Sequence, residues 1–183
     1  IWSAKIIVAA PKNVRIFGTF HILPYGLLST LGTKIIGSVL RKSNHRINQS
    51  YAVSEPALNF MKQTFSLHGT VLPNPVDYKF FHKFKKETSL KKQIVFVGRF
   101  EKRKGVKELI LAYNNLPAEL IDQTKLIMCG KGPLLDEMIK LATQLNIEIE
   151  FKGYVSDPQK AQLLSNADIA VFPSKSGESF GIV

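Results

Sequence analysis

The sequence has a single cysteine, few acidic residues in its first half and no long apolar run. Cys129 alone cannot form a disulfide within the chain, and a lone thiol is typical of proteins from reducing compartments. No apolar run approaches the roughly 20 residues that a bilayer-spanning helix needs. We therefore expect neither a disulfide scaffold, nor a cysteine-based metal site, nor a transmembrane anchor within this stretch.

Acidic residues are scarce only in the first half. Residues 1–92 contain 14 basic and 3 acidic side chains, whereas residues 93–183 contain 11 of each, so the net charge of +11 belongs to the first half. This asymmetry suggests two bodies with different surroundings. The hydrophobic content of 45% and charged content of 21% are typical of globular proteins and argue against disorder.

Neither end of the sequence has a recognisable terminal signal. The start, Ile1-Trp2-Ser3-Ala4-Lys5, contains no initiating methionine and lacks the pattern of a signal peptide. The last residues, Phe180-Gly181-Ile182-Val183, fall within an apolar segment. We expect an interior segment of a longer protein.

Short β-branched runs alternate with longer amphipathic runs along the chain. The predicted strands are 14–20, 46–54, 93–98, 125–129, 147–151 and 168–172. The predicted helices are 27–40, 55–65 with Ser54 as N-cap, 105–113, 133–145 with Pro133 in its first turn, and 158–164. This alternation predicts parallel sheets in an α/β fold, with domains at 1–77 and 93–183 and a basic linker at 78–92.

Three loops that follow predicted strands carry residues suited to binding anions. Arg99 and Lys104 lie in the first loop, Gly130 in the second and Glu178 in the third. Arginine presents a planar fork of donors, lysine a point charge, and glycine exposed backbone amides. Such loops meet at the carboxyl edge of a parallel sheet, so together they predict a site for a diphosphate and hydroxyl groups.

Each loop alone also fits a simpler interpretation: a solvated basic loop, a tight turn, and a glutamate that complements a helix dipole. Two nucleotide motifs are excluded at the second loop. Leu135 takes the place of the third glycine of a dinucleotide fingerprint, and Lys131 is followed by Gly132 rather than by Ser or Thr.

Six short motifs are spread along the chain: GTFH at 18–21, AVS at 52–54, LPNPVD at 72–77, GRFEKRKG at 98–105, CGKGP at 129–133 and GESFGIV at 177–183. Together they resemble the motifs of retaining glycosyltransferases of family four. The resemblance covers nearly the whole chain and implies the GT-B architecture, with two Rossmann-like parallel-sheet domains that are both incomplete here. One departure is Pro75, where relatives usually have glycine.

The resemblance also implies roles for individual residues. Arg99 and Lys104 match the pair that holds the donor diphosphate, Glu178 matches a carboxylate that bonds the sugar hydroxyls, and His21 matches a histidine that faces the sugar; these four are the predicted catalytic residues. Further predicted substrate contacts are Gly130, Val155, Asp157, Lys160, Phe180, Gly181 and Ile182. No metal and no cofactor are implied.

Within the family, FKGYVSDPQKA at 151–161 is most similar to phosphatidylinositol mannosyltransferases. This favours GDP-mannose as donor and a lipid or glycan as acceptor. Val155, Asp157 and Lys160 would then lie beside the nucleotide base. We expect metal-independent transfer with retention, by front-face attack with the leaving phosphate as base, in a cytoplasmic protein at the inner face of the membrane.

The stretch Tyr78-Lys79-Phe80-Phe81-His82-Lys83-Phe84-Lys85-Lys86 interleaves aromatic and basic residues. It fits a solvated linker, a contact with an anionic membrane or, less well, a nucleic-acid backbone. The principal alternative function is a non-catalytic basic α/β module that binds nucleic acid or anionic membrane. A sugar-nucleotide epimerase of the GT-B architecture is a second alternative, which is disfavoured because GESFGIV together with GRFEKRKG is a transferase pattern. The module predicts salt-sensitive polyanion binding that survives loss of Arg99 or Glu178.

Overall fold

The computed structural model describes residues 6, 7, 9–21, 23, 24, 26–178 and 181, which fall into two compact units. The first unit comprises the described residues of 1–75 and 177–182, and the second those of 76–176. Both units are built from parallel strands connected by helices, which confirms the predicted α/β class. The predicted domain boundaries stay a prediction.

In the described part of the first unit, a three-stranded parallel sheet has the order β1-β2-β3. Its strands are β1 (Phe17–Phe20), β2 (Gln49–Ala52) and β3 (Thr70–Val71), connected by α1 (Leu27–Arg41) and α2 (Glu55–Phe65). Ala52, Met61 and Phe65 are buried in its apolar core. No helix in the described residues has both the length and the apolarity needed to span a bilayer.

Helix α2 has the predicted bounds and the predicted N-cap. The Ser54 hydroxyl accepts a hydrogen bond from the Ala57 amide at 3.3 Å, which satisfies one of the amides that a first helical turn leaves without a partner. The helix ends where Ser66 adopts a left-handed conformation with φ 54°. A local sequence signal, the Ser54 cap, therefore determines the start of this helix.

In the second unit, four described strands form a parallel sheet with the order β6-β5-β4-β7. The strands are β4 (Lys92–Val97), β5 (Thr124–Cys129), β6 (Ile149–Gly153) and β7 (Ile169–Ala170). The helices are α3 (Tyr78–Phe81), α4 (Val106–Asn114), α5 (Ala118–Gln123), α6 (Leu135–Gln144) and α7 (Asp157–Asn166). Right-handed crossovers are the usual way to connect such strands.

The central strands of this sheet are buried on both faces. Phe96 and Met128 pack in one apolar cluster, whereas their neighbours Val95 and Ile127 pack in another. Successive side chains of a strand point to opposite faces, so the continuous apolar runs of β4 and β5 supply both layers of the core. The sequence predicted these two strands for this reason.

Several boundaries differ from the predictions. Helix α6 begins at Leu135 rather than at Pro133, and the amide of its N-cap residue Leu134 donates to the Phe100 carbonyl at 3.1 Å. Strand β6 begins at Ile149 rather than at Ile147, because the Ile147 amide closes the preceding helix on the Ala142 carbonyl. Helices α3 and α5 and the 3-10 turns Asn44–Arg46 and Lys102–Lys104 were not predicted.

The end of the basic stretch is bound to the second unit. The side chains of Gln162 and Ser165 on α7 donate to the carbonyls of Lys85 and Phe84, at 2.9 and 2.8 Å. The Glu87 amide donates to the side-chain oxygen of Asn166 at 2.9 Å. This part of the stretch is therefore a fixed structural connection.

The loops at the carboxyl ends of β4, β5 and β6 are joined through their backbones. The Gly98 amide donates to the carbonyl of Cys129 at the end of β5, at 3.0 Å. The Phe100 amide donates to the carbonyl of Lys131 beyond that strand, also at 3.0 Å. The Gly130 amide donates to the Gly153 carbonyl at 2.6 Å. Gly130 has φ +137°, and a Cβ there would lie 1.8 Å from the Gly98 carbonyl oxygen, so this approach of backbones requires glycine.

Asp168 connects the end of the basic stretch to β4. Its Oδ1 accepts from the Lys86 and Lys92 ammonium groups at 2.8 and 3.3 Å, and its Oδ2 accepts from the Gln93 amide at 2.8 Å. The hydrogen bond from Lys86, followed by that from the Gln93 amide, lowers the pKa of Asp168 from 3.8 to about 2. The ionised carboxylate is thus favoured by folding.

We predict that Asp168→Asn weakens the acid sensitivity of folding. Because the folded pKa is lower than the unfolded one, the carboxylate stabilises the fold fully above about pH 4 and loses this effect as pH falls towards about 2. Urea unfolding across this range should show a shallower loss of stability in Asp168→Asn than in the wild type. Asp136→Asn, which removes an exposed carboxylate on α6, is the control. An identical acid profile for Asp168→Asn and the wild type would contradict the prediction.

We also predict that Gly130→Ala destabilises the protein far more than Gly153→Ala. Gly153 has φ +63°, but a Cβ there would meet nothing within 4 Å, so alanine should cost only the backbone strain of about 1–2 kcal/mol. Alanine at Gly130 must also separate two backbone segments, with an expected cost above about 3 kcal/mol. Denaturant unfolding of both variants measures the difference, and equal losses would show that the Gly98 loop moves without cost.

Candidate functional site

A carboxylate holds two arginines in the loop that follows β4. The Nη2 of Arg99 forms an ion pair with one Glu101 carboxylate oxygen at 2.9 Å, and the Nε of Arg103 donates to the other at 3.0 Å. Arg99 is nevertheless 70% exposed, whereas Glu101 and Arg103 are 20% exposed. The loop therefore presents an oriented guanidinium to solvent, a geometry suited to phosphate oxygens.

Lys104 is positioned by the 3-10 turn of the same loop. Its amide donates to the Glu101 carbonyl at 2.9 Å, and its side chain is half-buried. Gly105 follows with φ +67°, and a Cβ there would lie 2.2 Å from the Pro173 carbonyl oxygen. Close packing against the segment after β7 thus fixes the end of the turn that carries Lys104.

The segment after β7 is bound to this loop at two further points. The Lys175 amide donates to the Arg103 carbonyl at 2.8 Å, and the Lys175 ammonium group forms an ion pair with Glu108 on α4. The hydrogen bond from Lys175 is the main cause that lowers the pKa of Glu108. Because β7 pairs with β4, the segment and the loop lie at the same edge of the sheet.

Beyond β5 and β6, the edge carries a lysine and a tyrosine. The ammonium nitrogen of Lys131 lies 5.6 Å from the centroid of the Tyr154 ring, within range of a cation–π contact. The Gly130 amide is occupied by the Gly153 carbonyl. The Gly98 carbonyl fills the place of its missing side chain, so the predicted donor contact at Gly130 has neither this amide nor that space to use.

The residues predicted beside the nucleotide base follow β6. Val155 is half-buried and packs against the cluster of Val95, Ile127 and Cys129. Lys160 donates to the Asp157 carboxylate at 2.9 Å, and Asp157 is 79% exposed at the start of α7. The pair thus offers a fixed carboxylate and an ammonium group one turn apart. Their role in base binding stays a prediction.

The remaining predicted residues lie outside the second unit. His21 follows β1 in the first unit and lines a mainly apolar cavity of about 490 Å³, together with Phe20, Ile36 and Phe60. Glu178 and Gly181 also group with the first unit. Phe180 and Ile182 lie outside the described residues. The structure therefore brings Arg99, Lys104, Gly130, Val155, Asp157 and Lys160 to one unit, and their meeting with His21 and Glu178 stays a prediction.

The sequence analysis did not select Glu101, Arg103 or Lys175. A signal was present for the first two, because Glu101 is flanked by arginines two residues away on each side. No comparable signal exists for Lys175, because its contacts depend on the pairing of β7 with β4.

The cysteine at the end of β5 is a packing residue. Burial raises the pKa of the Cys129 thiol to about 11, so the thiol is neutral near pH 7 and unsuited to nucleophilic attack. Among the described residues, there is no group of three or more His, Cys, Asp or Glu side chains arranged to hold a metal ion.

The chain is similar in sequence to a glycosyl transferase family and to individual proteins. The family model described as glycosyl transferases group 1 matches residues 77–183. A phosphatidyl-myo-inositol mannosyltransferase of Mycolicibacterium smegmatis is 30% identical over 185 residues, covering 99% of this chain and 47% of that protein. An N-acetyl-alpha-D-glucosaminyl L-malate synthase of Bacillus anthracis is 25% identical, covering 96% of this chain and 54% of that protein. The chain thus spans about half the length of these relatives.

Solved structures show the same fold. A mutant of S. aureus TarM, crystallised with UDP among its ligands, matches 93% of this chain and 34% of its own, with 22% identity and a TM-score of 0.72. WaaG, a glycosyltransferase involved in lipopolysaccharide biosynthesis, matches 96% of this chain and 57% of its own, with 16% identity and a TM-score of 0.68. These likenesses confirm the predicted fold class, the GT-B fold. This chain covers only part of that fold. The family model matches residues 77–183, more than half of this chain, and the chain therefore belongs to the group 1 glycosyl transferases.

Proposed function

We propose that the protein transfers a sugar from a nucleotide-sugar donor to a lipid or glycan acceptor, with retention of configuration and without a metal ion. The observation that carries this proposal is the loop after β4, where Glu101 orients Arg99 beside the turn that positions Lys104. In a glycosyltransferase family, an oriented guanidinium and an ammonium group at the edge of a parallel sheet fit the diphosphate of the donor.

The chemical barrier in such a transfer is departure of the nucleoside diphosphate. Negative charge grows on the leaving oxygen while the anomeric carbon becomes cationic. Arg99 and Lys104 would stabilise that negative charge, and removing one such donor in other enzymes raises the barrier by about 3–4 kcal/mol. Because Glu101 already orients Arg99, less rotamer entropy would be lost when the guanidinium binds phosphate.

Glu178 and His21 would hold the sugar through its hydroxyl groups, a positioning role. Retention then follows from attack of the acceptor hydroxyl on the face from which the diphosphate leaves. The bond from the anomeric carbon to the phosphate oxygen breaks, the acceptor oxygen bonds to that carbon, and the acceptor proton passes to the leaving phosphate. A sugar trapped covalently on a side chain of the protein would contradict this route.

GDP-mannose is the donor that we favour. The support is the likeness to proteins named phosphatidyl-myo-inositol mannosyltransferase, together with the ion pair of Asp157 and Lys160 one turn beyond Val155. A carboxylate can accept two hydrogen bonds from guanine, one from its amino group and one from its ring N–H. Uracil offers only one such donor, its ring N–H. The similar protein named N-acetyl-alpha-D-glucosaminyl L-malate synthase indicates that the sugar differs among relatives.

We place the protein at the cytoplasmic face of an anionic membrane, in contact with its acceptor. The excess of basic residues in positions 1–92 supports this location. Within the basic stretch, Tyr78 is exposed and Lys79, Lys83 and Lys85 are exposed beside it. Lys86 is exposed as well, but its ammonium group pairs with Asp168.

The proposal predicts that Arg99→Ala and Lys104→Ala each weaken binding of GDP and turnover of GDP-mannose by about tenfold to a hundredfold. This range corresponds to the loss of a charge-assisted hydrogen bond of about 1.5–3 kcal/mol. Calorimetric titration of GDP and release of GDP from GDP-mannose measure the two effects in the full chain. Lys140→Ala, which removes an exposed charge from α6, is the control and should leave both unchanged.

Two results would contradict the proposal. Unchanged GDP binding in Arg99→Ala and Lys104→Ala would remove the diphosphate site from this loop. Salt-sensitive polyanion binding that survives both substitutions, without binding of any nucleotide sugar, would instead support the non-catalytic basic module. Turnover of UDP-glucose but not of GDP-mannose would keep the transferase and change its donor.

A further inference from the structure

Two side chains at the carboxyl edge of the second sheet have no role in the proposed function. Tyr154 is 72% exposed, and the ammonium nitrogen of Lys131 lies 5.6 Å from the centroid of its ring. A cation at this distance is attracted to the face of an aromatic ring. The contact therefore favours one orientation of a ring whose remaining surface is open to solvent.

The end of β6 determines where this ring lies. The register of β5 with β6 shifts between Met128 and Cys129, which places a β-bulge at the end of β6. Gly153, the last residue of the strand, has φ +63°. A bulge and a left-handed glycine both redirect the chain, so Tyr154 leaves the direction of the strand and its ring comes to lie at Lys131, beyond β5.

The tyrosine and the lysine belong to the same backbone frame as the predicted diphosphate loop. Phe100, the neighbour of Arg99, donates its amide to the Lys131 carbonyl at 3.0 Å. The Gly130 amide donates to the Gly153 carbonyl, directly before the tyrosine, at 2.6 Å. These bonds fix the distance between the loop that presents a guanidinium and the turn that presents an aromatic ring.

An exposed ring beside a phosphate-binding loop suits the flat face of a nucleobase. Aromatic side chains stack on bases of any identity, because every base has a π-face. The next residue, Val155, packs its side chain into the core and so offers the base little surface. A contact that served only the stability of the fold would not require so much of the Tyr154 ring to remain exposed.

We infer that the Tyr154 ring stacks on the base of the bound nucleotide and that Lys131 is a positioning residue for this ring. The inference rests on the proposed function, because the base and the diphosphate belong to one ligand. It adds a contact with the face of the base to the contacts with its edge that Asp157 and Lys160 would make. Stacking contributes affinity, whereas the edge contacts select the base.

The test compares GDP with inorganic pyrophosphate as ligands of the full chain in calorimetric titrations. Tyr154→Leu should weaken binding of GDP by about tenfold or more, because leucine keeps apolar bulk but has no π-face. The same variant should bind pyrophosphate as the wild type does, since pyrophosphate has no base. Tyr154→Phe keeps the ring and should bind both ligands at the wild-type level.

Variants of Lys131 test the positioning role. Lys131→Met should weaken binding of GDP by about twofold to fivefold, the range expected for loss of an exposed cation–π contact, and should leave pyrophosphate binding unchanged. Lys131→Arg keeps a cation and should restore the affinity for GDP. Unchanged GDP binding in Lys131→Met, or a loss that extends to pyrophosphate, would contradict this role.

Tyr78→Leu is the matched control for the tyrosine. Tyr78 is 69% exposed and lies on α3, so its replacement removes a similar ring from another part of the second unit. This variant should bind GDP and pyrophosphate as the wild type does. A loss of GDP binding equal to that of Tyr154→Leu would show that the effect is not specific to the edge of the sheet.

Two results with Tyr154→Leu would overturn the inference alone. Wild-type affinity for GDP would show that the ring does not contact the base, and an equal loss for GDP and pyrophosphate would show that the ring only supports the loops. Failure of the proposed function gives a different result: the wild type would bind neither ligand, or Arg99→Ala would leave pyrophosphate binding unchanged. The inference would then fail with it.

Discussion

The backbone hydrogen bonds beyond the carboxyl ends of β4, β5 and β6 are the constraint on which the candidate site depends. The Phe100 amide binds the Lys131 carbonyl, and the Gly130 amide binds the Gly153 carbonyl. Because main-chain atoms make these connections, the positions of the loops do not depend on the Arg99 side chain. Arg99 can thus be directed towards solvent without being needed for folding, which is the arrangement expected of a binding edge on a rigid sheet.

Electrostatics add to this frame in two different ways. The second half of the chain has equal numbers of acidic and basic residues, yet Glu101 gathers Arg99 and Arg103 in one loop, so local charge is concentrated without a net charge. In the first half the basic excess is spread along the chain, because residues 1–92 contain 14 basic but only 3 acidic side chains. The first pattern suits a small anion with a defined shape, and the second suits an extended anionic surface.

The sequence predicted elements whose causes are local. Helix α2 was placed correctly because Ser54 caps it, and β4 and β5 because their apolar runs reflect burial on both faces. It misplaced the start of α6, which begins at Leu135 rather than at Pro133, and it missed α5 after Pro117. At the site, resemblance predicted Arg99 and Lys104. The contact of Lys175 with Arg103 follows from strand order β5-β4-β7, which single-residue patterns do not encode.

The central claim, that the loop after β4 binds a pyrophosphate, is tested most directly by comparing guanosine, GMP and GDP as ligands of the full chain in calorimetric titrations. The account predicts that affinity rises with each phosphate, by about tenfold or more from GMP to GDP, and that added salt reduces the gain. Equal affinity for the three ligands would show that the phosphates are not bound, and would contradict the account.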